Sequence, residues 1–457
     1  MSRAVTQQSG FLSRRALLRA GLLSIGGISL EHVLQARAGA HEKKRADTSV
    51  ILLYLHGGPS QLETYDLKPK APIEYRSVFN PIPANVPGLD ICELFPLQAR
   101  IADKFSLIRS LHHEVGIHSD GGIVVLTGKV PRVLDPTSQS KSEHPDFGSV
   151  ASKIRGADSR GMPQYVAMPS QPYMTRPTYL GLHHSAFEVR DPSSPQYRPL
   201  QLTSASGRDA NSLRERRTLL ERLDRYRNAA DDRRRLQATD EFRGMAFELL
   251  TNPQVASAFD LTAEEPKLRD RYGRHEWGQS CLLARRLAQA GTAVITLSLN
   301  SPFSGPDYTN WDDHILNAGR PGHFASYMSR RLPALDQAVS ALIEDIFAQD
   351  LDRQILVVVM GEFGRTPRLS SNVNGTGRDH WPQAYSALIA GGGLQMGKVV
   401  GATNSRAEFP TERPYSPQDL LATIYRHLGI GNQTAFPDHA GRPIPILGDG
   451  QLISELV

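Results

Sequence analysis

The chain has 457 residues, 40% of them hydrophobic and 22% charged, enough for a large core in one big α/β domain or two ordinary ones. Its formal net charge is +5, but residues 1–38 hold Arg3, Arg14, Arg15, Arg19 and Arg37 against Glu31 and so carry +4 of it. The rest of the chain is nearly neutral, which removes the case for a nucleic-acid-binding surface from net charge alone.

The first segment reads Ser13-Arg14-Arg15-Ala16-Leu17-Leu18-Arg19, then AGLLSIGGISL, then Ala36-Arg37-Ala38. A twin arginine, a mildly apolar stretch and a small-x-small site make residues 1–38 a Tat-type signal peptide. The Tat translocase is then a partner during export, and the mature protein is periplasmic or extracellular. Such export carries folded proteins, often with a cofactor already loaded. The apolar run is too short and Gly-rich for a stable membrane span.

A polar linker (39–48) leads to a strand at Val50–Leu55, apolar without alternation, as in a strand covered on both faces. Residues 60–100 read as Pro-rich loops with a short helix near Leu94–Ala102. A second strand follows at 104–111, and His118–Gly128 opens a helix. Residues 160–206 read as ordered loops, in which Tyr173, Arg176, Tyr179, His183 and His184 are candidates to line a cleft. Ten arginines between Arg208 and Arg235, interleaved with acids, fit a solvated helix with i,i+4 pairs. Helix Gln279–Ala290 stops at Gly291. Strand Ala293–Leu299, helix Pro333–Ala348, strand Ile355–Val359, the strand-like SALIAG and helix Pro417–Leu428 complete the alternation. This pattern predicts a three-layer α/β/α fold around a doubly wound, mostly parallel sheet. It forms a single domain over 49–457, with a loop and helical insertion around 160–280. The two cysteines, Cys92 and Cys281, match no metal motif, and Cys281 reads as a small buried apolar residue.

Five polar groups sit where predicted strands run out, the edge at which open α/β sheets bind ligands. His56 precedes two glycines that let backbone approach a ligand. Asp312 and His314 lie two apart on a loop and can both reach one divalent metal. His380 sits between Asp379 and a Trp-Pro corner, with Asp379 or a backbone carbonyl available to fix its second ring nitrogen. Glu362, between glycines at a buried strand end, needs a partner, either a metal or Arg365. His112, His113 and the run His118-Ser119-Asp120 form the fifth group, with Ser119 or Asp120 placed to cap a helix.

Taken together, the leader, HGGPSQLETYDLKP, WDDHILN, GEFGRTP, GRDHWP and QDLLATIYRHLGI resemble the domain-of-unknown-function 1501 family from about residue 46 to the C-terminus. That family is related to the alkaline-phosphatase-like superfamily, which includes sulfatases. The resemblance implies an alkaline-phosphatase-like fold and an exported, metal-dependent hydrolase of phosphate or sulfate esters. It implies Asp312, His314 and His380 as ligands of one divalent ion (Zn, Mn, Ca or Fe), and His56 and Glu362 as ligands at a neighbouring position. HSDGGIVVLTG resembles the sulfatase nucleophile segment, which places His118 at the nucleophile with Ser119 beside it. Phe363 stands where the superfamily has a ligand His. Arg365 and Arg378 are candidates to clamp an anionic ester oxygen, or alternatively pair with Glu362 and Asp379. The rival expectation is an exported binding or assembly protein that keeps the fold without the chemistry.

Overall fold

A computed structural model describes residues 47–156, 160–198, 252–303, 305, 308–317 and 320–457. The leader and the arginine-rich segment of 208–250 lie outside the described residues. The order of the core follows from β1 (Ser49–Tyr54), whose six residues are all buried. It pairs in parallel with β6 (Ile355–Met360) on one side and β5 (Val294–Ser298) on the other. A strand with neighbours on both edges and helices on both faces has no wet side, so its sequence shows no polar alternation.

Five further strands complete the sheet: β2 (Phe105–Leu111), β3 (Tyr165–Met168), β4 (Phe187–Glu188), β7 (Tyr385–Gly391) and β8 (Val399–Val400) join the three above in the order β8-β2-β7-β6-β1-β5-β3-β4. Only β7 runs against its neighbours β6 and β2; every other pairing is parallel. The fold is therefore the expected α/β type with a mostly parallel sheet. Side chains of β1 sort by the two-residue period. Ile51 and Leu53 enter one core with α3 (Glu276–Ala290) and α4 (Phe324–Ala348). Val50, Leu52 and Tyr54 enter the other with α1 (His118–Thr127), α2 (Phe147–Arg155) and α5 (Pro417–His427). Residues Thr48–Val457 form one compact unit.

Two sequence expectations need correction. Residues 165–168 are a fully buried strand, not loop; four apolar residues amid Pro and Gly are too short a pattern to stand out. Helix α4 begins at Phe324, with Pro333 inside it rather than at its start. Phe324, Met328 and Leu332 are fully buried at helical spacing, so the apolar stripe carries the helix through a proline that removes one hydrogen bond. Cys92 and Cys281 are both buried free thiols, and burial pushes the Cys92 thiol up to about 12.

The topology sets the site. Strands β1, β5 and β6 end level, with Tyr54 opposite both Ser298 and Met360. Because β7 is reversed, its beginning lies at the same edge, with Tyr385 beside Leu111 at the end of β2. Segments after β1, β2, β5 and β6 and before β7 therefore meet at one edge of the sheet.

Candidate functional site

His56 follows β1 through a turn that only glycine permits. Gly57 has φ +114°, and a Cβ there would lie 2.5 Å from the Asp312 nitrogen. The loop after β5 is anchored from below. Trp311 is fully buried, stacks on Trp277 at 5.7 Å and donates its indole N–H to the Leu299 carbonyl at 2.6 Å. Asp313 is buried against Arg331 and accepts from Asn317 at 2.8 Å, so it holds the loop and leaves Asp312 facing the edge. His380 is fixed by a two-residue ladder in which it pairs with Arg365.

Four side chains converge on the Oδ1 atom of Asp312. His118 Nε2 lies at 3.2 Å, His314 Nε2 at 3.0 Å and His380 Nε2 at 3.1 Å. His314 Nε2 and His380 Nε2 are 3.0 Å apart. Arg365 Nη2 donates to the same oxygen at 2.7 Å. The other nitrogen of each ring is committed. His380 Nδ1 donates to the Gly116 carbonyl at 2.7 Å, which fixes the hydrogen there. His314 Nδ1 faces the Asp379 carboxylate at 2.7 Å, and His118 Nδ1 faces Glu362 Oε1 at 2.7 Å. Neutral rings held this way present three Nε2 lone pairs and a carboxylate oxygen to one another. That set needs positive charge among it beyond the one Arg365 donor, from protons or from a metal ion. Separations of 3.0–3.2 Å approach the edge of a tetrahedron with bonds of about 2.0–2.1 Å, roughly 3.3 Å. Asp379 thus supports His314, while a carbonyl supports His380.

The neighbouring position is built differently. Glu362 is fully buried; its Oε1 accepts from the Gly57 N–H at 2.8 Å, and its Oε2 has no hydrogen-bond partner among the described residues. His56 Nε2 and the Tyr54 hydroxyl are buried without partners as well. Ligand atoms of His56, His118 and Glu362 lie within 4.8 Å of one another, as do those of His118, Asp312 and His380. His118 belongs to both groups but has one nitrogen toward each, so it bridges them. Phe363 packs beside both, its ring 5.2 Å from His118 and 4.5 Å from His380.

The electrostatics follow these contacts. Burial works against the Asp312 anion, but the three histidines and Arg365 overcome it and hold the carboxyl far below the usual range. Burial likewise pushes Glu362 up, while His56 and His118 bring it down to about 2. His118 is lowered by burial and raised more by Asp312 and Glu362, to about 9. The hydrogen bond to Asp312 raises His314, and burial lowers His380. Burial and the Glu362 carboxylate raise the Tyr54 hydroxyl well above the phenol range.

The structure brings together His56, His118, Asp312, His314, Glu362 and His380. Three other sequence candidates are already committed to partners within the protein. Ser119 is fully buried and donates to Asp120 Oδ2 at 3.0 Å, so it neither caps α1 nor meets a substrate. Arg365 is fully buried and spends its donors on the Gly57, Gly58, Trp311 and Arg378 carbonyls and on Asp312. Arg378 is fully buried too; it grips both oxygens of buried Glu63 and the carbonyls of Arg76, Thr366 and Pro367. Neither guanidinium is left to clamp an anion, and neither has the acid expected from sequence. Sequence reasoning missed Tyr54 and gave His113 no role. Yet His113 donates to the Glu362 carbonyl at 2.6 Å and accepts from Val115 N–H at 3.1 Å. Of the cleft candidates, Tyr173 packs edge-on against His56 at 5.6 Å, and His184 is buried against Ser152 at 3.1 Å.

The sequence profile of one family, "Protein of unknown function (DUF1501)", matches residues 47–457. The chain belongs to the DUF1501 family. No curated protein matches it. Among solved structures, this DUF1501 chain is similar to the lipoteichoic acid synthase LtaP from Listeria monocytogenes, with 9% identity and a TM-score of 0.38 over 90% of this chain and 76% of that one. It is also similar to a 2-O GAG sulfatase, with 11% identity and a TM-score of 0.37 over 84% and 71%. A protein in the alkaline phosphatase superfamily from Vibrio parahaemolyticus gives 12% identity and a TM-score of 0.36 over 84% and 66%. No helix of the described residues is long and apolar enough to cross a membrane.

Proposed function

We propose that this chain is an exported, metal-dependent hydrolase of phosphate or sulfate esters. The observation that supports it most is the convergence of three Nε2 atoms on Asp312 Oδ1 with every Nδ1 held by an acceptor. Carboxylate and carbonyl support behind each ring is how ligating histidines are oriented. Asp312, His314 and His380 would hold one divalent ion, with His118 as the fourth donor or as a hydrogen-bonding neighbour. An ion there would polarise an ester oxygen and offset the charge that builds up in the transition state.

The remaining residues prepare that edge. Arg365 ties Asp312 to the turn that carries His56, fixing the two positions relative to each other. His56, whose Nε2 has no partner among the described residues, is the group available to take a proton from attacking water. Glu362 holds His118 through Nδ1, and His113 holds the Glu362 backbone. The twin-arginine leader supplies the export reading, and cell fractionation with Arg14 and Arg15 replaced by Lys checks it.

Elemental analysis of the exported protein tests the proposal. Stoichiometric Zn, Mn, Ca or Fe is expected, with loss in Asp312→Ala and in His380→Ala. Absence of metal after reconstitution with each of the four ions overturns it, as does full retention in both variants. A screen over phosphomonoesters, phosphodiesters and sulfate esters then identifies the bond cleaved. A second reading, a binding or assembly protein without chemistry, is favoured by Phe363 packed against both His118 and His380 and by the Ser119 hydroxyl turned to Asp120. Metal binding with no turnover in that screen selects it.

A further inference from the structure

A separate cleft of about 570 Å³ is lined by residues of 132–144, 176–182 and 438–444. Its acids are already compensated. Glu143 pairs with Arg132 at 3.4 Å, and Asp438 pairs with Arg442 at 2.7 Å. Arg176 is different. It donates from Nε to the Ser142 carbonyl at 2.8 Å, and both terminal amino groups have no partner among the described residues. One anchored nitrogen with two free ones is a guanidinium held in place to fork onto a planar or tetrahedral oxyanion.

Two further observations bear on a ligand. Ser142 lines the cleft, and its fully buried hydroxyl has no hydrogen-bond partner among the described residues. The Thr178 hydroxyl also lacks one among the described residues, and Thr178 holds φ +47°, a strained conformation for a β-branched residue. Buried hydroxyls left unpaired cost stability unless something satisfies them. Beside them stands an apolar wall. Tyr179 meets the rings of His144 at 6.1 Å and His439 at 6.2 Å, and Leu182 is 81% exposed at the rim.

We infer that this cleft binds a small organic oxyanion, a carboxylate, sulfonate or phosphonate-like group on an apolar ring, with Arg176 on the anion and Tyr179 and Leu182 against the ring. The site is independent of the ester chemistry at Asp312. It adds to the protein a second ligand position, recognised by charge and ring together.

Calorimetric titration of the full chain with benzoate, benzenesulfonate and phenylphosphonate tests this, with neutral benzamide as the control. None of the three is an ester, so hydrolysis does not intrude. Saturable binding of at least one anion is expected, together with about tenfold or greater weakening in Arg176→Gln and a smaller loss in Ser142→Ala. Asp312→Ala should leave the affinity unchanged. Arg176 is exposed, so its variant should keep the native unfolding midpoint. Four results overturn the inference: no saturable binding of any of the three, equal binding of benzamide, native affinity in Arg176→Gln, or loss of binding in Asp312→Ala. The last, with Arg176→Gln unaffected, would place the probe at the proposed metal edge and leave that reading standing.

Discussion

The Asp312 position and the His56 position lie side by side at one sheet edge, and they are finished to different degrees. Around Asp312 every ring nitrogen has an assigned neighbour, and a carboxylate or carbonyl backs each histidine. Around His56, three buried polar atoms have no hydrogen-bond partner among the described residues: His56 Nε2, Glu362 Oε2 and the Tyr54 hydroxyl. Unpaired buried polar groups are rare in native proteins, and functional sites are where they are tolerated. Under the proposed function, the contrast fits holding at the first position and exchange, of a proton or of a reacting group, at the second.

The sharpest way to break that division is His56→Ala. If the two positions divide the work, this variant keeps the metal content of the native protein and loses turnover by roughly 10²–10⁴-fold, the range for a positioned acid or base. Parallel metal analysis and kinetics decide it. Loss of metal in His56→Ala would instead make His56 a ligand and merge the two positions.

Arg378 tests whether buried charge near the site is structural. In Arg378→Gln, Glu63 keeps a fully buried carboxylate without its bidentate partner. A loss of about 3–5 kcal/mol of stability is expected by urea denaturation. Replacing Glu63 and Arg378 together with apolar residues of similar size should recover much of it. A variant with native stability and a raised KM would return Arg378 to the substrate.

Acid stability separates the fold from the site through His427, which lies in the last turn of α5. Burial pushes it down to about 4, although its Nε2–H donates to the Ser49 and Gln354 carbonyls at 3.0 and 3.1 Å. The folded state therefore prefers the neutral ring, while the unfolded chain takes up a proton near its ordinary value of about 6.5. Its contribution is complete above about pH 6.5 and is lost as the pH falls towards 4, by about 3 kcal/mol in all. His427→Gln should flatten stability between pH 6.5 and 4. An unchanged profile would put the acid sensitivity elsewhere, the site histidines included.

Much of the fold was legible because the buried parallel strands are long apolar runs, as in Val50–Leu55 and Ile355–Val359, with Gly128 and Gly291 marking helix ends. The six polar residues at the edge were legible for the same reason: a strand end is visible in sequence, and the topology collects strand ends. What was not legible is which partner each charge finds. Arg365 and Glu362 are three residues apart, yet Arg365 pairs with Asp312 and Glu362 with His118. Arg378 finds Glu63 across 315 positions. Such pairings depend on loop paths and side-chain directions that carry no local period. Tyr54 was overlooked because an aromatic inside an apolar strand reads as core, and it is core except for its hydroxyl.

The smallest effect expected is also the most specific. Asp379 is 62% exposed, and its contact with His314 Nδ1 at 2.7 Å is with a ring that is itself 32% exposed. As a surface ion pair it would contribute little to stability. As the group that fixes the His314 tautomer it would matter to a bound ion, by roughly 10–100-fold in affinity. Asp379→Asn should therefore leave the urea midpoint unchanged while weakening metal binding in a chelator competition, toward the low end of that range because water can replace an exposed acceptor. The opposite change at Gly116 is not open to mutation, since His380 is held there by a backbone carbonyl. If Asp379→Asn shifts neither stability nor metal affinity, the His314 ring is not held by its acceptor. The Asp312 position would then be less finished than its hydrogen bonds imply, and the contrast with His56 would narrow.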